Sequence, residues 1–174
     1  DAWGIDLAYS GTQKCLGVSP GLSPVTVSTA AIGAFVAKLP SWYLDFAMIA
    51  DYVTGGSTRA YHHTAPISMI YALHAGLGVL LDEGLENVYA WHQACGDRLQ
   101  AGLVERGFEL FAQEGHRLPE LTSVRVPAER LPAGVDEAGV RRLLLERYDI
   151  EVGGGQGPVA GQVWWMGCMG HTAR

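Results

Sequence analysis

The chain is 174 residues long, 48% hydrophobic and 17% charged, enough apolar material for a packed core and a balance that argues against disorder. Its formal charge of −6 comes with no cluster of basic residues, so nucleic acid is not an expected partner, because phosphate binding needs concentrated Lys and Arg. Small metabolites remain open as ligands.

Pro24 to Ser28 alternates like a strand, and Ala30 to Lys38 reads as an Ala-rich helix that Pro40 breaks. Ser41 to Tyr52 is aromatic and apolar. The longest uncharged stretch, Ala60 to Leu81, is interrupted by His62, His63, His74 and several glycines. It reads as a buried helix with its lead-in, since a membrane span wants about 20 predominantly apolar residues. Thr64 is placed to cap that helix, Pro66 falls near its first turn, and Gly84 is a plausible stop. The helix is expected to be buried on most sides.

From Leu85 the pattern turns amphipathic. Leu85, Val88, Trp91 or His92, Cys95, Leu99 and Leu103 recur at helical spacing, Asp97, Arg98, Glu105 and Arg106 mark the wet face, and Gly107 ends the run. A short strand near Phe108 to Phe111, a strand at Leu121 to Val126, a helix at Asp136 to Arg147 and strands near Ile150 and Val163 to Met169 follow. Helices mixed with strands predict an α/β fold, with a soft boundary near Gly84.

Cys15, Cys95 and Cys168 form neither a C-x-x-C pair nor a zinc-like Cys/His arrangement. Reduced thiols in a cytosol fit this usage. The start, Asp1-Ala2-Trp3-Gly4, carries no initiator Met and no apolar signal region, as expected of a piece of something longer.

Ten arginines but two lysines, Lys14 and Lys38, supply the positive charge, and arginine cannot be deprotonated in a protein. Lys14 closes the polar turn Ser10-Gly11-Thr12-Gln13-Lys14. An amine attacks a carbonyl only after losing its proton, which burial or a neighbouring cation makes possible. Most lysines in such turns are solvated surface charges, and spacing alone leaves that reading open.

Three blocks in order bear on the choice. The run from Trp3 to Gly17, followed by Pro20-Gly21-Leu22, resembles the segment around the cofactor lysine of class V aminotransferases, with the alanine-glyoxylate and serine-pyruvate enzymes as nearest relatives. Tyr61-His62-His63-Thr64 with Pro66 resembles that family's Tyr-His-His-Thr segment, and Glu151 to Pro158 its Gly-Gly-x-Gly-Pro turn. The resemblance spans nearly the whole chain. It implies a fold-type I pyridoxal-phosphate transferase, with 1–84 the C-terminal part of the large cofactor domain and 85–174 most of the small C-terminal domain.

The resemblance also implies roles. Lys14 would bind the pyridoxal 5'-phosphate carbonyl and shuttle the proton, and Gln13 and Ser10 would help hold the phosphate; plain turn chemistry also accounts for those two. Tyr61 and Thr64 would reach the phosphate of the opposite subunit's cofactor, which implies a homodimer with shared sites. A capping Thr64 is compatible with that, because a helix N-terminus also favours phosphate. Gly155 would lie in a turn near the substrate. Adjacent His62 and His63 on an extended segment would point to opposite sides, and no metal is expected there.

One position departs from the family. The resemblance places an arginine, forked onto the substrate carboxylate, where Val163-Trp164-Trp165-Met166-Gly167 has Trp165. An indole offers one neutral donor and a bulky apolar face, so it forfeits the charge-assisted pair. Arg174 lies too far along to substitute. The family's Gly-rich phosphate loop, ring-stacking residue and pyridine-nitrogen aspartate have no counterpart here, and Asp1 and Asp6 lie too close to Lys14 to match the last. The expected activity is transfer of an amino group from alanine or serine to a 2-oxo acid such as glyoxylate or pyruvate, in the cytoplasm, or in peroxisomes or mitochondria of a eukaryote. A desulfurase-like or lyase relative, or a non-catalytic remnant, are the alternatives.

Overall fold

A computed structural model describes residues 3–36, 39–55 and 61–172. Asp1, Lys38 and Arg174 lie outside the described residues. The chain divides into two compact units, one ending at Gly76 and the other starting at Leu77.

The first unit opens with β1 (Leu7–Tyr9), which pairs antiparallel with β2 (Val25–Val27) through Leu7↔Val27, Ala8↔Thr26 and Tyr9↔Val25. Only β2 is legible in the sequence. Asp6 closes this pair: its carbonyl accepts from the Ser28 N–H at 2.8 Å and its Oδ1 from the Ser28 hydroxyl at 2.6 Å. Ser28 also caps α1 (Thr29–Gly33), accepting from the Ala31 N–H. That helix is five residues long and shorter than expected. Gly33 is a poor helix residue, and the Ala34 N–H already turns back onto Ala31 and Ile32.

Asp45 caps α2 (Phe46–Thr54) through the Ala47 and Met48 N–H groups, and Gly55 ends it in the left-handed conformation. The long apolar helix is α3 (Ile67–Glu83), which begins in the first unit and ends in the second. Two expectations about it fail. Thr64 is not its cap: the Pro66 carbonyl accepts the first helical N–H groups, from Met69 and Ile70, while Thr64 stands two residues upstream. No residue of α3 is buried, and Ile67, Tyr71 and Leu81 are largely exposed. An all-round apolar helix has the composition of a covered one, but this chain folded by itself does not cover it.

Gly84, with φ +86°, separates α3 from α4 (Leu85–Glu105). The buried stripe of α4 is Val88, His92 and Gly96, while Leu85 and Trp91 are exposed. Gly107 terminates the run as expected, with φ +77° and the Phe108 N–H returned to the Leu103 carbonyl.

The second unit is built on the antiparallel sheet β3-β5-β4, of β3 (Leu121–Arg125), β4 (Gly153–Gly154) and β5 (Val163–Gly167). Val124, Val163 and Trp164 form the heart of its core, with Leu110, Val152 and Val88 around them. The strand expected near Phe108 to Phe111 shrinks to one bridge, Leu110↔Val124. The strand expected near Ile150 is displaced to β4, three residues on, because Asp149, with φ +54°, ends helix α5 (Glu137–Tyr148) and the Ile150 N–H folds back to the Leu144 carbonyl. Among the described residues, no helix is long and apolar enough to cross a membrane.

Candidate active site

The loop from Ser10 to Pro24 is held across its width. The Ser10 N–H donates to the Pro24 carbonyl at 3.0 Å and the Thr12 N–H to the Leu22 carbonyl at 3.2 Å. Thr12 is the brace: it is fully buried, its hydroxyl donates to the Ser19 carbonyl at 2.7 Å, and its own carbonyl accepts from the Val18 N–H at 3.1 Å. Lys14 stands just beyond this brace, its N–H bonded to the Gly11 carbonyl and its carbonyl accepting from Gly17. Its side chain is exposed, so the turn presents the amine to solvent.

Gln13 folds back over Gly11, so that a Cβ at Gly11 would stand 2.8 Å from Gln13 Oε1. Ser10 is exposed, its hydroxyl making a marginal 3.5 Å contact to the Gly11 carbonyl. Glycine at position 11 is what lets the amide lie there. Two glycines further on let α3 support the loop: a Cβ at Gly76 would run into Val18 Cγ1, and one at Gly21 would stand 2.6 Å from Met69 Sδ.

Tyr61 and Thr64 form a second cluster. Their hydroxyls lie 2.6 Å apart and both residues are exposed, with the Tyr52 ring edge-on to Tyr61 at 6.1 Å. Behind them the two histidines do not point to opposite sides. A bend at His63 brings His62 Nδ1 and His63 Nδ1 to 2.7 Å, with the rings edge to face. His62 is buried, stacked on Trp42 at 4.3 Å, and its Nε2 lies 3.1 Å from the Trp42 carbonyl. A carbonyl can only accept, so His62 Nε2 carries a proton; neutral His62 then accepts at Nδ1 and His63 donates. No hydrogen bond or ring contact joins the Lys14 turn to the Tyr61–Thr64 pair among the described residues. A cavity of about 450 Å³, lined by Tyr9, Leu22, Tyr43, Phe46, His63 and Pro66 among others, includes none of Ser10, Gln13, Lys14, Tyr61 and Thr64.

The second unit carries the remaining two candidates. Trp165 occupies the middle of β5 opposite Ser123 on β3 and Gly153 on β4, and is half-buried. Its neighbour Trp164 points to the other face, where its indole N–H donates to Glu137 Oε2 at 3.2 Å. Arg141 grips the same carboxylate through Nε at 2.9 Å and Nη2 at 3.3 Å. This hydrogen bonding from Arg141, opposed by desolvation and helped by its charge and by Trp164, holds Glu137 below the ordinary carboxylate range. Gly155 donates its N–H to the Val163 carbonyl at 2.8 Å, and any side chain there would strike the Val159 carbonyl. The Gly153–Gly157 stretch is therefore part strand and part close-packed turn.

Among the described residues of the first unit, the exposed Lys14 amine suits the carbonyl of a phosphorylated aldehyde, and the Gln13 amide with the Ser10, Tyr61 and Thr64 hydroxyls could serve its phosphate. Thr12, which fixes that turn, was not singled out by sequence reasoning. Its signal is faint, a threonine between two more conspicuous polar residues.

The family model described as Aminotransferase class-V matches residues 1–166. The chain is 36% identical to an alanine–glyoxylate aminotransferase of Drosophila melanogaster over 99% of its own length and 44% of that protein's. It is 32% identical to an (S)-ureidoglycine–glyoxylate transaminase of Bacillus subtilis over 100% of this chain and 45% of the relative. A solved alanine–glyoxylate aminotransferase from Nostoc sp. superimposes with a TM-score of 0.86 at 46% identity, over 100% of this chain and 45% of that one. The chain thus spans less than half the length of these relatives.

Proposed function

The chain belongs to the class V aminotransferases, enzymes of the fold-type I pyridoxal-phosphate group, and we propose that the protein containing it moves an amino group from alanine or serine to a 2-oxo acid such as glyoxylate or pyruvate. The observation that carries this reading is the similarity to glyoxylate aminotransferases, with the braced turn that ends in Lys14 in support. Residues up to Gly84 are read as the end of the cofactor domain and those from Leu85 as most of the small domain.

When bound, the cofactor supplies an electron sink that makes the substrate Cα proton removable. The side chains have separate tasks. Lys14 would hold the cofactor through its carbonyl, and its Nζ would be the site that takes and returns a proton. Gln13 and Ser10 donate to the phosphate; each is held only by exposed or local contacts, so turning toward an anion breaks little. Tyr61 and Thr64, whose hydroxyls are already paired, serve the phosphate held by a second copy, which makes the working unit a homodimer. Gly155 keeps the turn beside the substrate free of a side chain. The expected compartment is the cytoplasm, or a peroxisome or mitochondrion in a eukaryote.

Trp165 favours a second reading, a non-catalytic remnant. An indole in place of a guanidinium removes the two-point grip on a carboxylate. The isolated 174-residue chain is accordingly read as inactive. The test is an alanine–glyoxylate transamination assay on the isolated chain, on the longer protein and on its Trp165→Arg variant. The reading expects no turnover by the isolated chain, turnover by the longer protein, and a lower KM for the amino acid in the variant. Sustained turnover by the isolated chain contradicts its inactivity. A longer protein that transaminates no better as the variant contradicts the role given to Trp165, and one that never transaminates overturns the function.

A further inference from the structure

The buried stripe of α4 runs Val88, His92, Gly96, and Cys95, half-buried, borders it three residues after His92 and next to Gly96. Two other segments of the second unit lie against this stripe at the same level. A Cβ at Gly96 would stand 2.6 Å from Pro119 Cα and 2.5 Å from the Pro119 carbonyl oxygen, so the chain at 119 touches the helix backbone there. The Cys168 N–H donates to the carbonyl of the next residue, Glu120, at 2.9 Å. Two residues beyond Cys168, the Gly170 N–H donates to His92 Nε2 at 3.2 Å, and that ring is fixed in turn by the Val88 carbonyl at 2.8 Å from Nδ1. Cys168 is therefore tied on one side to the segment that abuts Gly96 and on the other to the chain that abuts His92, and Cys95 lies between those two helix positions.

We propose that Cys95 and Cys168 are a latent disulfide pair, an oxidative modification site that ties α4 to the chain leaving β5. Neither thiol is in a disulfide in the structure, and both are half-buried, so an oxidant as small as hydrogen peroxide has access. Burial pushes the Cys168 thiol up from its ordinary range, and the neighbouring Cys95 pushes it the same way. The chemistry balances with peroxide as oxidant. One sulfur attacks the peroxide, the O–O bond breaks, and a sulfenic acid and one water form. The second sulfur attacks the first, the S–O bond breaks, and the disulfide and a second water result. Two thiols are oxidised and one peroxide is reduced. The pairing does not rest on the proposed function, in which neither cysteine is given a role.

The test is peptide mapping without reductant after treating the purified chain with hydrogen peroxide and alkylating what remains. The expected product is an intramolecular cross-link between the Cys95 and Cys168 peptides, reversed by dithiothreitol, with Cys15 still alkylated. The same cross-link in a Cys15→Ser variant is expected at undiminished yield. Oxygen uptake on Cys95 or Cys168 without a cross-link, pairing that involves Cys15, or a disulfide between two molecules would overturn the proposal.

Discussion

The Thr12 hydroxyl donates to the Ser19 carbonyl oxygen at 2.7 Å from a fully buried position, and this bond closes the loop whose outer turn presents Lys14. Thr12→Val keeps the shape and deletes the donor, leaving a carbonyl to find water or go without. The expected loss is about 1–2 kcal/mol, seen as a lower melting temperature. Faster proteolysis between Cys15 and Leu22 is expected with it. A variant equally stable and equally resistant would show that the brace is not what holds the loop.

Gly76 faces the same loop from α3, against Val18. Two effects oppose each other in Gly76→Ala. Alanine in a helix interior gains about 1 kcal/mol over glycine, whereas overpacking costs about 1–3 kcal/mol. The single variant is expected to be destabilised and the same change in a Val18→Ala background to be stabilising. Denaturant unfolding of the four proteins gives the sign in each background, and equal signs would refute the contact.

Glu137 links α5 to β5 through Trp164 and is held within α5 by Arg141. Its folded-state pKa is depressed below the ordinary carboxylate range by the Arg141 hydrogen bond, so its stabilisation is fully present above that range and is lost as pH falls through the lower folded value. Glu137→Gln is expected to cost about 1–2 kcal/mol near neutral pH and to flatten the acid limb of the stability curve below the ordinary carboxylate range. Parallel acid limbs for the two proteins would contradict this.

Thr122 is the converse case. Its hydroxyl is buried on β3 with no hydrogen-bond partner among the described residues. Removing an unsatisfied polar group while keeping the volume is favourable, so Thr122→Val is expected to stabilise the second unit by about 1 kcal/mol. A lower melting temperature would mean that the hydroxyl is solvated after all.

The second unit was more legible than the first. The period of α4, the helix expected over Asp136 to Arg147 and the apolar run of β5 are local signals that the structure bears out, with Asp136 itself serving as the cap of α5. β1 was invisible because Leu7-Ala8-Tyr9 is three exposed residues whose strand character exists only through pairing with β2. The α3 composition announces burial that the folded chain does not provide. At the site, motif likeness singled out Lys14, Gln13, Ser10, Tyr61 and Thr64. The contacts around them depend on backbone geometry that residue types do not encode: the brace by Thr12 needs the loop closed, and the meeting of His62 with His63 needs a bend.

The most direct test of the central claim is reductive trapping. The purified chain is incubated with pyridoxal phosphate, reduced with borohydride and mapped by peptide mass, with Lys14, Lys38 and the N-terminal amine as the available amines. The account predicts an adduct concentrated on Lys14, in the longer protein at least as strongly as in this chain, and reduced by Thr12→Val. Labelling spread evenly over the three amines, or absent from Lys14 in the longer protein, would make Lys14 a solvated surface lysine and contradict the account.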